Sequence, residues 1–368
     1  MEDISKKIVF NKANLPTLSV CLIVKNEEEN LKRLLPTLSG VIDEIVIVDT
    51  GSTDGTKDVA KFYTNKLYDF EWINDFSAAR NESLKYATKD YIMWLDADDM
   101  IERQDVIKLK MHLVNHPNTG VYLRLLDKQP RANLDSLQLR VIPNHKGVQF
   151  QYKVHEQLSF SLDEKGISTS YGPLTVHHLG YKNDQIMMEK MKRNIAILED
   201  EVKLFPDDFL INLELGKSYV GIDKTAEAEF YIDKAIALLE TNDIKISNEN
   251  YFYTYISKVT ILGLNGLVDE SIDLLETKRG KLNKLQIYRL TLGELYFRKG
   301  DYIKAYKDLL VLKEPIISTT LSLPIDQLIT NLMMFFLVAS VYVKDKNSVE
   351  YCIGKLGNMP NFELPLDW

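Results

Sequence analysis

Three carboxylates fall within four residues at the end of an apolar run, in Trp94-Leu95-Asp96-Ala97-Asp98-Asp99. Asp96 and Asp98, one residue apart behind a buried strand, can together hold a hard divalent cation such as Mg or Mn, and through it a diphosphate. A bare Asp-x-Asp is more often a solvated turn or a helix cap, and the position behind a strand is what raises it here. Asp49 follows the apolar run Glu44 to Val48 in the same way and heads Asp49-Thr50-Gly51-Ser52-Thr53-Asp54-Gly55. It can accept a hydrogen bond from a base or ribose, with Thr50 and Ser52 adding others. Arg80 reads either as a charge partner for diphosphate or as a helix-surface salt bridge, the commoner fate of an isolated Arg. His178 ends another apolar run and is either a third metal ligand or, as is more usual, a satisfied core group. His177 and His155 are weaker candidates. Trp94 and Tyr91 alternate with apolar neighbours and read as core packing.

These residues need a frame. Leu18 to Val24 is continuously apolar and rich in Val and Ile, as expected for a strand buried on both faces of a parallel sheet. Leu31, Leu34, Leu35 and Leu38 then recur on one helical face, with Lys25 to Glu28 as the connecting loop. Glu44 to Val48 and Asp90 to Leu95 read as two more strands with a helical stretch between them. Alternating strands and helices imply right-handed parallel units, in which ligands bind beyond the carboxyl ends of the strands. Asp49 and Asp96 stand at such ends. Val121 to Leu125, Gln138 to Ile142 and Leu174 to His178 are short β-like runs that extend the sheet and close the site.

From Gln185 the pattern turns helical: Met188, Met191, Ile195, Leu198 and Val202 make an apolar stripe that Phe205-Pro206 ends. Beyond it lies an imperfect repeat. Leu215-Gly216-Lys217-Ser218-Tyr219 with Ala226 and Ala235 is echoed by Leu292-Gly293-Glu294-Leu295-Tyr296 with Gly300 and Ala305, and Tyr251 to Glu276 reads as a degenerate unit between them. Small residues at such spacing let paired helices approach closely, as in tetratricopeptide repeats; the blander reading is a generic helical bundle. The expected division is 1–184 and 185–368.

Composition narrows the function classes. A formal charge of −8 over 368 residues gives no overall basic field, so nucleic acid is not an expected partner. Cys21 and Cys352 read as free, buried thiols, which suits a reducing compartment. Met1 to Phe10 is charged, and no later stretch reaches the roughly 18 apolar residues of a membrane span, so the expectation is a cytoplasmic protein with no integral membrane segment.

Four blocks now resemble a known family. Leu22-Ile23-Val24-Lys25-Asn26-Glu27-Glu28, then Ile47-Val48-Asp49-Thr50-Gly51-Ser52-Thr53-Asp54-Gly55-Thr56, then Ala79-Arg80-Asn81, then Trp94-Leu95-Asp96-Ala97-Asp98-Asp99 resemble, in order and spacing, the signature of family 2 glycosyltransferases. The match covers about the first half of the chain. Val154-His155-Glu156, His178-Leu179-Gly180-Tyr181, Lys192-Arg193-Asn194 and the repeats resemble a bacterial branch with a tetratricopeptide-like tail, whose members modify lipopolysaccharide cores, flagellins and bacteriocin peptides.

The resemblance implies an α/β GT-A (Rossmann-like) nucleotide-sugar domain followed by an all-α helical-repeat domain, and inverting transfer from a UDP-sugar with Mn or Mg. It assigns Val24, Asn26, Glu27, Asp49, Thr50, Ser52, Arg80, Asp96 and Ala97 to the donor side, with Asp49 on the uracil and Asp96 near the ribose or metal. Asp98 binds the metal in this reading, with His178 as a further ligand. Inversion needs a base to deprotonate the acceptor; Glu156 is the candidate and Asp99 its rival. The expected acceptor is a protein or peptide docked on the repeats. A saccharide or lipid-linked glycan acceptor and a non-catalytic scaffold are the competing readings. A nucleotidyltransferase would need a Gly-rich phosphate loop that Val20 to Glu28 lacks. Leu328 to Val343 reads as a cap for the last repeat or as a homodimer face.

Overall fold

The computed structural model describes residues 15–128, 133–180, 184–241, 244, 246–315 and 323–357; Met1 to Phe10 and Tyr181 lie outside them. Two compact units result, one of residues 1–127 with 137–180, the other of 128–136 with 181–368.

The first unit is built on a sheet. In chain order it has β1 (Leu18–Val24), α1 (Glu28–Leu38), β2 (Glu44–Asp49), α2 (Thr56–Tyr63), β3 (Leu67–Asp69), α3 (Phe76–Lys85), β4 (Tyr91–Trp94), β5 (Asp99–Ile101), α4 (Arg103–Asn115), β6 (Gly120–Lys128), β7 (Asn133–Pro143), α5 (Ser159–Glu164) and β8 (Thr169–His178). Their order across the sheet is β3-β2-β1-β4-β7-β6-β8-β5. β1 pairs parallel with both β2 and β4, which is why every β1 residue except Ile23 is buried. On α1, Leu31, Leu34, Leu35 and Leu38 are fully buried against it. Burying each such side chain contributes about 1.5–3 kcal/mol.

The three β-like runs of the middle region are strands: β6, β7 and β8 contain them. β3 and β5 were not expected, because three residues are too few to show a period. β5 matters most. It follows the carboxylate run directly and pairs antiparallel with β8, in a register that sets Asp99 opposite His178.

The second unit is helical. It comprises α6 (Asp184–Leu204), α7 (Phe209–Val220), α8 (Thr225–Thr241), α9 (Asn248–Leu264), α10 (Val268–Glu276), α11 (Arg279–Leu282), α12 (Gln286–Lys299), α13 (Tyr302–Leu309), β9 (Leu323–Pro324), α14 (Ile325–Tyr342) and α15 (Lys346–Leu356). The two glycines of the repeat explain its closest pairs. A Cβ on Gly216 would lie 2.6 Å from Ile232 Cγ1, and one on Gly293 would lie 2.6 Å from Leu309 Cγ, so α7 meets α8 and α12 meets α13 only because no side chain intervenes. Ala235 and Ala305 are fully buried in these pairs as expected, whereas Ala226 is exposed and Ala228, two residues on, takes the buried place on α8. The repeat has a polar tie as well: Tyr219 donates to Glu199 and Tyr296 to Glu276, each across the same sequence separation of 20. The segment between the two clear repeats is the pair α9 and α10, and Leu328 to Val343 falls mainly on α14, whose Leu332, Met333, Phe336 and Ala339 enter the unit's own core.

Candidate active site

The carboxyl ends of β1 and β2 form one wall of the site. Asp49 closes β2 with no exposed surface. Its Oδ1 accepts from the N–H groups of Gly51 at 3.0 Å and Ser52 at 2.9 Å, and Lys57 Nζ lies 3.6 Å away. Its Oδ2 is buried with no hydrogen-bond partner among the described residues. An ionised oxygen in that state is costly unless something donates to it.

The surrounding residues lace the two loops together. Thr50 donates through N–H and hydroxyl to Val24 O at 2.9 and 3.1 Å. Asn26, at φ 56°, donates through its N–H to Ser52 Oγ at 2.8 Å and accepts from Thr53 N–H at 2.7 Å. Glu27 N–H donates to Thr56 Oγ1 at 2.7 Å. The sequence-based expectation gave Thr50 and Ser52 hydrogen bonds to a ligand. In the structure the Thr50 hydroxyl donates to Val24 O and the Ser52 hydroxyl accepts from Asn26 N–H, contacts that hold the wall in shape.

The second wall is the carboxylate run after β4. The side chains of Asp96, Asp98 and Asp99 gather around His178, which β8 delivers through its pairing with β5. His178 Nδ1 lies 2.9 Å from Asp99 Oδ1 and 3.5 Å from Asp98 Oδ1. Among the described residues, Asp96, Asp99 and His178 form a trio whose donor atoms lie within 4.8 Å of one another, a spacing suited to a metal ion. Asp98 stands outside that trio, and Ala97 is buried beside it. Burial pushes the Asp98 carboxyl up to about 6, with His178 opposing and the charges of Asp96, Asp99 and Glu27 adding to the rise. Burial alone would lower His178, yet its hydrogen bond to Asp99 and the surrounding carboxylates raise it to about 9.

Arg80 is not the surface residue that one of its two readings made it. It is 7% exposed, and burial works against its charge; Asp96 and Glu156 more than offset that. Its Nη2 donates to Asp96 Oδ1 at 2.7 Å and its Nε to Glu156 Oε1 at 2.5 Å. Glu156 reaches it because α3 grips the segment before it. Asn81 and Phe150 exchange two hydrogen bonds of 2.9 and 2.8 Å, Phe76 N–H donates to Lys153 O at 2.9 Å, and Ser77 Oγ donates to Tyr152 O.

Asp99 does not suit the base role weighed for it. It is fully buried; its Oδ2 accepts from Asp96 N–H at 2.8 Å and from Arg140 at 3.0 Å, and its Oδ1 meets His178. No face remains for an acceptor hydroxyl, so its part is to orient its neighbours. Sequence reasoning missed Arg140, on β7, although an Arg inside Leu139-Arg140-Val141-Ile142 carried a signal: a charge within a buried strand must be paired. It also missed Lys57. Trp94, read as packing, is partly buried, and both guanidinium groups lie over its ring, Arg140 Cζ at 3.7 Å and Arg80 Cζ at 4.3 Å from the centroid. Tyr91 is core, as read, with its hydroxyl accepting from Asn118 N–H.

The donor set fits a divalent cation. Among the described residues the four carboxylates of Asp96, Asp98, Asp99 and Glu156 are met by the cations Arg80 and Arg140 and by His178 when it is protonated, so negative charge remains in excess for a cation to balance. Oxygen and imidazole donors suit Mg or Mn.

Residues 19–172 match the model of glycosyl transferase family 2. The chain is 27% identical over 292 residues to the SPbeta prophage-derived glycosyltransferase SunS of Bacillus subtilis, covering 76% of this chain and 67% of that protein. It is 29% identical over 219 residues to a TPR repeat-containing protein of Synechococcus elongatus, covering 56% of this chain and 53% of that one. Among solved structures, S. aureus TarS 1-349 in complex with UDP-GlcNAc covers 79% of this chain and 89% of its own, at 14% identity and a TM-score of 0.41. The strand-end carboxylates thus lie within residues 19–172, which match the glycosyl transferase family 2 model, and the chain is a glycosyltransferase in which a tetratricopeptide-like helical region follows that segment in sequence.

Proposed function

We propose that the chain transfers a sugar from a UDP-linked donor, with inversion and with a divalent cation, to a protein or peptide acceptor. The observation that carries the reading is the pairing of two unmet demands at neighbouring strand ends. Among the described residues Asp49 Oδ2 is buried without a donor, and the carboxylates gathered near His178 outnumber the cations that face them.

Asp49 Oδ2 accepts from the N–H of uracil, while its Oδ1 stays fixed by Gly51 and Ser52. Asp98 and His178 would hold the cation, with Asp96 alongside. Asp99 takes the Nδ1 hydrogen of His178 and so turns Nε2 outward as a neutral ligand, an arrangement common around metal-bound histidines. The bound cation supplies charge stabilisation for the leaving diphosphate. Glu156 is the base. Arg80 occupies its Oε1, which leaves Oε2 to take the acceptor proton as the acceptor attacks the anomeric carbon from the face opposite the diphosphate. Arg80 also binds Asp96, so one side chain ties the donor side of the site to its acceptor side.

The paired helices support a protein or peptide acceptor, since stacked repeats commonly present extended binding surfaces. Among the described residues no helix is long and apolar enough to cross a membrane.

The test is release of UDP from a panel of nucleotide sugars by the purified protein, with and without Mn, since many transferases pass sugar slowly to water. The expected result is metal-dependent release from one donor, reduced by about 100- to 1,000-fold in Asp98→Ala. Release that ignores metal, or that survives Asp98→Ala, would overturn the reading.

A further inference from the structure

Arg140 is the most buried cation of the site and touches neither the nucleotide wall nor Glu156. It is 2% exposed, on β7. Its Nη1 donates to Asp99 Oδ2 at 3.0 Å and lies 3.5 Å from Asp96 Oδ2. Its Nε donates to Gln138 Oε1 at 3.0 Å, and its plane sits over Trp94, whose indole N–H is itself anchored on Leu139 O at 2.8 Å. Nε, Nη1 and Cζ of this guanidinium are therefore each held against a named neighbour.

Asp99 links it to the chemistry. With Oδ2 occupied by Arg140 and by the N–H of Asp96, Asp99 can present only Oδ1 to His178 Nδ1. That contact holds the hydrogen on Nδ1 and leaves Nε2 as the nitrogen that would ligate once it loses its own proton. Asp96 is fixed by the same group from the interior and by Arg80 on its other oxygen.

We infer that Arg140 is a positioning residue for the metal centre: through Asp99 it sets the orientation of His178, and directly it sets that of Asp96. The inference rests on the metal reading proposed above.

Two roles of Arg140 predict opposite results. As a mere positive charge it repels a cation, so its removal would tighten metal binding. As a positioning group it makes a preformed site, so its removal weakens binding even where charge is kept. Arg and Lys are not equivalent at a stacked, multiply bonded position, and loss of an outer-shell partner typically costs about 10- to 100-fold in metal affinity.

The experiment measures Mn2+ affinity of the full chain by electron paramagnetic resonance in the presence of UDP, for wild type, Arg140→Lys and Arg140→Gln. Thermal unfolding of each variant is the check on its fold. Arg140→Lys keeps the buried charge and is the variant that stays folded if Arg140→Gln does not. The expected result is affinity about 10- to 100-fold weaker in Arg140→Lys, with uridine binding in the absence of metal unchanged because the Asp49 wall is untouched. Wild-type affinity in Arg140→Lys, or tighter binding in Arg140→Gln, would reduce Arg140 to a charge and overturn the inference. A wild-type protein that binds uridine but no Mn2+ would remove the metal reading, and this inference with it.

Discussion

Asp49 and Asp99 are the same residue type, each fully buried at the carboxyl edge of one sheet, and they have opposite parts. Among the described residues Asp49 keeps one oxygen without a donor, while Asp99 has both oxygens bonded, to Asp96 N–H, Arg140 and His178. Burial of a carboxylate therefore does not itself mark a ligand site. What separates the two is whether the protein satisfies the charge from within. Asp49 ends β2, and the loop that follows offers its N–H groups to one oxygen only. Asp99 begins a strand, and its cross-strand partner and a buried Arg meet the remainder.

The largest expected effect breaks the comparison on the Asp99 side. Asp99→Ala leaves Arg140 buried with only the longer, 3.5 Å contact to Asp96 among the described carboxylates, so unfolding by denaturant should show a loss of about 3–5 kcal/mol. Asp49→Asn should instead leave the denaturation midpoint nearly unchanged, because Asn keeps the oxygen that Gly51 and Ser52 bond. It should weaken uridine nucleotide binding by about 10- to 100-fold, the equivalent of ~1.5–3 kcal/mol for one hydrogen bond to a charged group. If Asp49→Asn unfolds the protein and Asp99→Ala does not, the two assignments are reversed.

A helical-unit control separates damage at the site from general damage. Gly293→Ala drives a Cβ against Leu309 and should lower stability by about 1–3 kcal/mol through overpacking. Metal-dependent UDP release at a temperature where the variant is folded should not change.

The smallest effect is on pH. The pKa of His178 in the folded protein is raised from 6.5 to about 9, so its stabilising contribution is complete below pH 6.5 and disappears as pH rises through 9. In the metal-free protein the melting temperature should fall across that window more steeply for wild type than for His178→Gln. Equal slopes would mean that the Asp99 contact does not hold a proton on the ring.

The long elements were legible in the residues, and the short ones were not. Leu18–Val24 and the face of Leu31, Leu34, Leu35 and Leu38 carry enough apolar positions to show a period, and the Gly216 and Gly293 blocks marked the close helix pairs. β3 and β5 have three residues each, which is below what periodicity can detect. Missing β5 hid the physical reason why His178 meets Asp99, since that meeting depends on cross-strand register between segments far apart in the chain. The same holds for Arg80 and Glu156, joined across 76 residues, and for Arg140 and Asp99, joined across 41. Residue types and strand ends pointed to candidate groups. Which of them face a ligand and which hold another group depended on pairings that no local pattern encodes.

The most direct test of the account is calorimetric binding of uridine and of UDP, each with and without Mn2+, to wild type, Asp49→Asn and Asp98→Ala. The account predicts that uridine binds irrespective of metal and is weakened only by Asp49→Asn, whereas UDP binding is strengthened by Mn2+ and that gain vanishes in Asp98→Ala. Uridine binding that ignores Asp49→Asn, or UDP binding indifferent to Mn2+ in the wild type, would contradict it.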